Sequence, residues 1–153
     1  MAASFVGTWS YRSFTNEPDL SVPFNDLRCG MGEMVLTEPA PGKVGGRLEG
    51  PGFSLDLDGS TSLQDPSKIR FKRRGEINGE TWEYDYQCFV VSNWTDEGEK
   101  VDTMVGSIVM KHYGSNGQSP RDCVGSWYAV RQAKETYVIP QKTPMAYMAA
   151  DIR

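Results

Sequence analysis

The dipeptide Asn78-Gly79 constrains this chain most, because a type I′ turn needs φ > 0 at both central residues and Asn-Gly supplies both. It separates IRFKRRGEI (69–77) from ETWEYDYQCFVV (80–91), two segments in which apolar and polar residues alternate. A two-residue loop leaves one register. Ile77 then faces Glu80, Gly75 faces Trp82, Arg73 faces Tyr84, Phe71 faces Tyr86 and Ile69 faces Cys88. On the other face Arg74 meets Glu83, Lys72 meets Asp85 and Arg70 meets Gln87. The turn alone sets this register, yet the two faces separate chemically. One places opposite charges across from each other, each pair contributing about 0.2–1 kcal/mol. The other carries Ile69, Phe71, Trp82, Tyr84, Tyr86 and Cys88, with Gly75 leaving room under the Trp82 indole. This is a half-buried antiparallel ribbon. Arg73 breaks the pattern, a cation on the aromatic face opposite Tyr84.

The same alternation runs through the rest of the chain. A first strand is expected at Phe5–Phe14, with Trp9, Tyr11 and Ser13 on one face. A long connection, Thr15–Cys29, follows; an unstructured stretch of that length often forms a functional loop or lid. Further strands are expected at Gly32–Glu38, Lys43–Glu49, Phe53–Asp58, Val101–Tyr113 and Asp122–Gln132, with proline- and glycine-rich turns between several of them. No amphipathic helix stands out before residue 132. Eight strands in simple succession, polar on one face and apolar on the other, lose their exposed edges by closing. The expected fold is all-β: a single eight-stranded antiparallel up-and-down β-barrel over residues 1–132. Residues 133–153 form a C-terminal extension. A short helix beginning at Pro144 is expected there, and apolar side chains such as Tyr137, Ile139 and Tyr147 favour packing on the barrel or at an oligomer interface.

Composition agrees with this reading. At 153 residues the chain fits one domain with a sizeable core. An aromatic content of 11% with 16 Gly and 9 Pro suits a turn-rich β fold rather than a helical bundle. The net charge is −4, and Lys72-Arg73-Arg74 alternates across two faces of one strand, so no basic patch for nucleic acid is present. No stretch approaches the ~20 apolar residues of a membrane span. The N-terminus shows no secretory signal. Cys29, Cys88 and Cys123, odd in number and without C-x-x-C spacing, read as reduced thiols of a cytoplasmic protein.

Gly7-Thr8-Trp9 in the first strand and Arg131 at the end of the last resemble the calycin superfamily of lipocalins and avidins. In those families the tryptophan packs at the closed end of the barrel beneath a basic residue of the last strand. The resemblance implies a structural pair, Trp9 under Arg131, a cation–π contact of about 0.5–2 kcal/mol. It also implies a lid over the open end formed by the Thr15–Cys29 loop. The likeness covers residues 5–132. It departs from the avidins where they carry a small polar amide two residues past the tryptophan to bind biotin; here Tyr11 occupies that place. It departs from the lipocalins in lacking a Thr-Asp-Tyr motif between the sixth and seventh strands.

Chemistry is sparse outside the interior. His112 is the single histidine, which excludes sites needing two, and no acidic or cysteine cluster has zinc spacing. His112 reads as a rim residue. Asp56-Leu57-Asp58-Gly59 resembles the start of a calcium loop but lacks the later ligands, and reads as a turn. No metal and no cofactor are expected. The remaining candidates line the interior: Tyr11, Ser13, Phe71, Arg73, Tyr84, Tyr86 and Trp127, several hydroxyls and one cation among aromatic walls, as in a small-molecule pocket. Glu80, on the same face at the rim, is a candidate partner for Arg73.

Three functions fit. The first is binding of a small, partly aromatic, anionic molecule inside the barrel. The second is a small cofactor-free enzyme (isomerase, decarboxylase or cyclase) in which a tyrosine beside Arg73 has a lowered pKa and serves as acid or base, with Tyr11, Arg73 and Tyr84 the catalytic candidates. Phenolic-acid decarboxylases, which are also small lipocalin-like barrels, use Tyr and Arg in this way. The third is a filled structural or oligomerising barrel.

Overall fold

A computed structural model describes residues 4–77, 79–113 and 121–133. Residues 1–3, Asn78, residues 114–120 and residues 134–153, where the C-terminal helix and packing are expected, lie outside the described residues.

Eight strands follow in order: β1 (Gly7–Thr15), β2 (Arg28–Thr37), β3 (Lys43–Gly50), β4 (Phe53–Thr61), β5 (Lys68–Ile77), β6 (Glu80–Trp94), β7 (Lys100–Tyr113) and β8 (Arg121–Arg131). Each is antiparallel to the next, and β8 pairs back onto β1, so the sheet is a closed up-and-down barrel. Among the described residues the helical element is one 3-10 turn, Phe24–Leu27, and no helix is long and apolar enough to cross a membrane.

The central hairpin has the register its turn demands. Ile77 pairs with Glu80, Gly75 with Trp82, Arg73 with Tyr84, Phe71 with Tyr86 and Ile69 with Cys88. Gly79 has φ 78°, the positive value an Asn-Gly turn supplies. Two details differ from the expected pairings. Asp85 is held by Arg70, its diagonal neighbour, through two hydrogen bonds of 3.0 and 2.7 Å, because a guanidinium fork matches a carboxylate better than an ammonium does. The Trp82 indole stacks on His112 of β7, its cross-strand partner there; the atom nearest to a Cβ built on Gly75 is Arg73 Nε, at 4.0 Å.

Strand ends shift by a few residues. β2 begins at Arg28, four residues earlier than expected, which shortens the connection after β1. β4 continues to Thr61, so Asp56–Gly59 is strand and not a turn; Gly59 pairs with Phe71.

Inward residues form one core. At the end where the chain leaves β8, Trp9 is fully buried and donates its indole N–H to the Phe5 carbonyl at 3.0 Å. The Arg131 guanidinium covers that ring, 4.2 Å from its centre. It donates to the carbonyls of Val6 (2.7 Å) and Ser4 and to the Asp102 carboxylate (3.2 Å). A fully satisfied cation thus closes this end of the barrel.

Candidate functional site

Above that plug a waist of aromatic rings crosses the barrel. β1 contributes Tyr11, β5 Phe71, β6 Tyr86 and β8 Trp127, all at most 2% exposed. Phe71 lies on Tyr86 with 5.0 Å between centroids, Tyr11 on Trp127 at 5.5 Å, and Tyr86 meets Trp127 edge-on at 5.8 Å and 80°. Edge-on and tilted contacts of this kind are favoured by the ring quadrupoles. The Trp127 N–H is satisfied by the Ser107 carbonyl at 3.0 Å. These four residues, expected as walls of a ligand site, pack on one another and form a floor.

The polar candidates stand on the far side of these rings from the Arg131 plug. Tyr84 is the next inward residue of β6 after Tyr86, 6.3 Å from it between centroids, and Ser13 ends the inward row of β1. Arg73 sits opposite Tyr84. Its Nε is buried and has no hydrogen-bond partner among the described residues. An unpaired buried donor of a charged group costs more than the ~1–3 kcal/mol typical of a neutral one.

Glu80 is not the partner of Arg73. Its carboxylate is 2.5 Å from His112 Nε2, and the His112 ring lies on Trp82, 4.4 Å between centroids. His112 faces Trp82 across the β6–β7 ladder. The lone histidine is therefore a rim residue that holds the rim carboxylate.

The phenols are not activated as bases. Burial pushes Tyr11 up to about 12, and raises Tyr84 and, further, Tyr86 above the usual phenol range. The hydroxyls of Ser13 and Tyr86 lie within hydrogen-bonding reach of Tyr11 and oppose its shift without cancelling it. The lowered tyrosine pKa expected for an acid–base enzyme is thus reversed, because desolvation disfavours phenolate. At neutral pH these groups are hydrogen-bond donors.

The loop after β1 is tied to the outer wall at two points. Asn16 is tied to β8 through its N–H to the Val124 carbonyl and through Ser126 Oγ to its side-chain oxygen, both 2.9 Å. Phe24 packs on Phe14 at 5.3 Å, and Phe14 stacks on Tyr128, an outward residue of β8. The loop is seated on the outer wall.

No protein-family model matches this sequence, and no curated protein matches it. Among solved structures it is similar to rhizavidin, known as a rhizavidin–biotin complex. The TM-score is 0.52 at 12% identity, over 90% of this chain and all of that one. The fold is avidin-like.

Within this avidin-like barrel the inward direction of Tyr11, Ser13, Phe71, Tyr84, Tyr86 and Trp127 follows the period-2 alternation of their strands. Two features escaped sequence reasoning. Cys29 lies where the β1–β2 register shifts, between the pairs Ser13–Gly30 and Phe14–Arg28; the flanking Gly30 was the available signal, since glycine in a strand often marks a bulge. The aromatic outer wall of Phe14, Phe24 and Tyr128 joins residues far apart in sequence, and no local pattern announces it.

Proposed function

We propose that this protein binds a small anionic molecule carrying an aromatic ring in the open half of its barrel. Arg73 supplies the charge complement, Tyr84 donates a hydrogen bond, Ser13 offers its hydroxyl oxygen as an acceptor, and Phe71, Tyr86, Trp127 and Tyr11 form the floor. The observation that carries this reading is the buried, unpartnered Nε of Arg73 on an aromatic face, with the nearby rim carboxylate of Glu80 occupied by His112. The rhizavidin barrel, which holds biotin, supports a small molecule in a barrel of this shape. Tyr11, in place of a small amide, argues against biotin itself. Reduced thiols at Cys29, Cys88 and Cys123 support a cytoplasmic setting.

Binding is favoured over catalysis because the raised phenols stay protonated at neutral pH, so that none stands ready as the general base of the enzyme reading. The test is native mass spectrometry of freshly purified protein, with identification of any released molecule. It is followed by calorimetric titration of 4-hydroxybenzoate into wild type and Arg73→Met. Binding that weakens about tenfold or more in Arg73→Met is expected, the worth of a charge-assisted hydrogen bond. Equal affinity, or no binding by wild type together with a more stable Arg73→Met, would mean a filled structural barrel.

A further inference from the structure

A cavity of about 680 Å³ lies at the rim, where the loop after β1 folds down beside the barrel. Its lining includes Ser13, which faces the interior, and Arg12 and Phe14, its outward-facing neighbours on the same strand. The cavity sits beside the shift in β1–β2 register at Cys29. The volume is within the ~300–1,000 Å³ of small-molecule sites.

Two guanidinium groups and three rings shape its wall. Arg12 donates from Nη1 to the Tyr128 hydroxyl at 3.2 Å, which fixes the fork against β8. Arg28 donates from Nε to the Asn25 carbonyl at 2.9 Å, leaving its two Nη groups for another acceptor. Neither arginine is within ion-pair distance of a carboxylate among the described residues. Asp26 is the acidic residue of the lining, so two cations face one anion. Phe14 and Tyr128 are parallel within 7°, 6.2 Å apart between centroids, and Phe24 adds a tilted third ring 5.3 Å from Phe14.

We propose that this rim cavity is a second ligand site, separate from the barrel interior, for a flat aromatic monocarboxylate. The rings of Phe14, Phe24 and Tyr128 take the aromatic body. The Arg28 fork, with Arg12 beside it, takes the carboxylate in the bidentate geometry that planar guanidinium groups favour. A surplus of one positive charge matches a monoanion better than a polyphosphate.

The probe is 2-naphthoate, titrated into the ¹⁵N-labelled full chain and followed by amide shifts, with 2-naphthol as the neutral control. Saturable shifts at Gly30, Met31 and Tyr128 are expected. Affinity read from these rim amides should fall about tenfold or more in Arg28→Gln and fall in Phe24→Ala, whereas Arg73→Met should alter only shifts at Tyr84 and its interior neighbours. Arg28 and Phe24 are exposed, so both variants should fold, which their amide spectra verify. Shifts confined to Tyr84 and its interior neighbours and lost in Arg73→Met would place the probe in the barrel and overturn the rim site. Unchanged binding in Arg28→Gln, equal affinity for 2-naphthol, or no saturable shift at millimolar probe would overturn it too. The Arg73→Met arm separates failure of the rim site from failure of the interior one.

Discussion

The His112 imidazole lies on the Trp82 indole, 26° between ring planes, while its Nε2 holds the Glu80 carboxylate. The stack orients the histidine, and the histidine orients the glutamate. This leaves Arg73 without its nearest expected counter-charge. Removing the ring should free Glu80 to compete for Arg73. His112→Ala is therefore expected to weaken 4-hydroxybenzoate binding about two- to fivefold, the worth of a partly exposed ion pair. The double variant His112→Ala/Glu80→Gln should recover wild-type affinity by calorimetry. A double variant as weak as the single one would show that Glu80 plays no competing part.

At the closed end the Arg131 guanidinium combines a cation–π contact with hydrogen bonds to Val6, Ser4 and Asp102. Arg131→Ala should cost about 2–4 kcal/mol, summing a cation–π contact and two or more charged hydrogen bonds. Arg131→Lys should recover only part of this, since an ammonium lacks the planar fork. Urea denaturation measures both, and a loss below 1 kcal/mol in the alanine variant would contradict the role of this plug.

Gly46 has φ 144°, and a Cβ built there would lie 1.9 Å from the Val35 carbonyl oxygen of the neighbouring strand. Both the dihedral and the clash are with backbone, which cannot step aside. Gly46→Ala should destabilise by about 3 kcal/mol or more, or fail to fold, beyond the ~1–3 kcal/mol typical of backbone strain. Gly52→Ala, where φ is also positive but no atom lies within 4 Å, should cost less. Similar losses in the two would remove the steric part of the argument.

Stability should fall at high pH. Burial raises the Cys88 thiol from 9.0 to about 12 and the Tyr11 phenol from 10.0 to about 12. Above pH 9 the unfolded chain releases these protons while the folded one retains them, so each proton lost pulls toward unfolding. The favourable difference is intact below pH 9 and is lost as pH rises toward 12. For Tyr11 alone the two-unit gap corresponds to about 2–3 kcal/mol. In Tyr11→Phe the decline of urea midpoint between pH 10 and 11 should be shallower than in wild type. Parallel declines in the two proteins would contradict the assignment.

How much of this was legible in advance depended on the range of the interactions involved. The Asn78-Gly79 turn and alternation fixed every pair from Ile69–Cys88 to Ile77–Glu80, because a two-residue loop and a period of two leave no freedom. Gly7-Thr8-Trp9 and Arg131 likewise pointed to one end of one barrel. The partner of Glu80 was not legible, since the choice between Arg73 and His112 depends on where a third strand, β7, brings its ring. Nor was the loop after β1: its seat is set by Phe24 on Phe14 and Asn16 on β8, contacts between residues that no local pattern links. The inward direction of Tyr11, Phe71, Tyr86 and Trp127 follows from strand alternation, but their ring-on-ring contacts join four different strands and have no local signal.

That waist acts as a bulkhead. Below it lie Trp9, Arg131 and most of the aliphatic core, whose loss would unfold the barrel; above it lie Ser13, Arg73, Tyr84, Trp82 and His112. Because Tyr84 rests on Tyr86 and Trp82 on the same core, the two sides share one wall of rings, and a change of ring in that wall is felt on both.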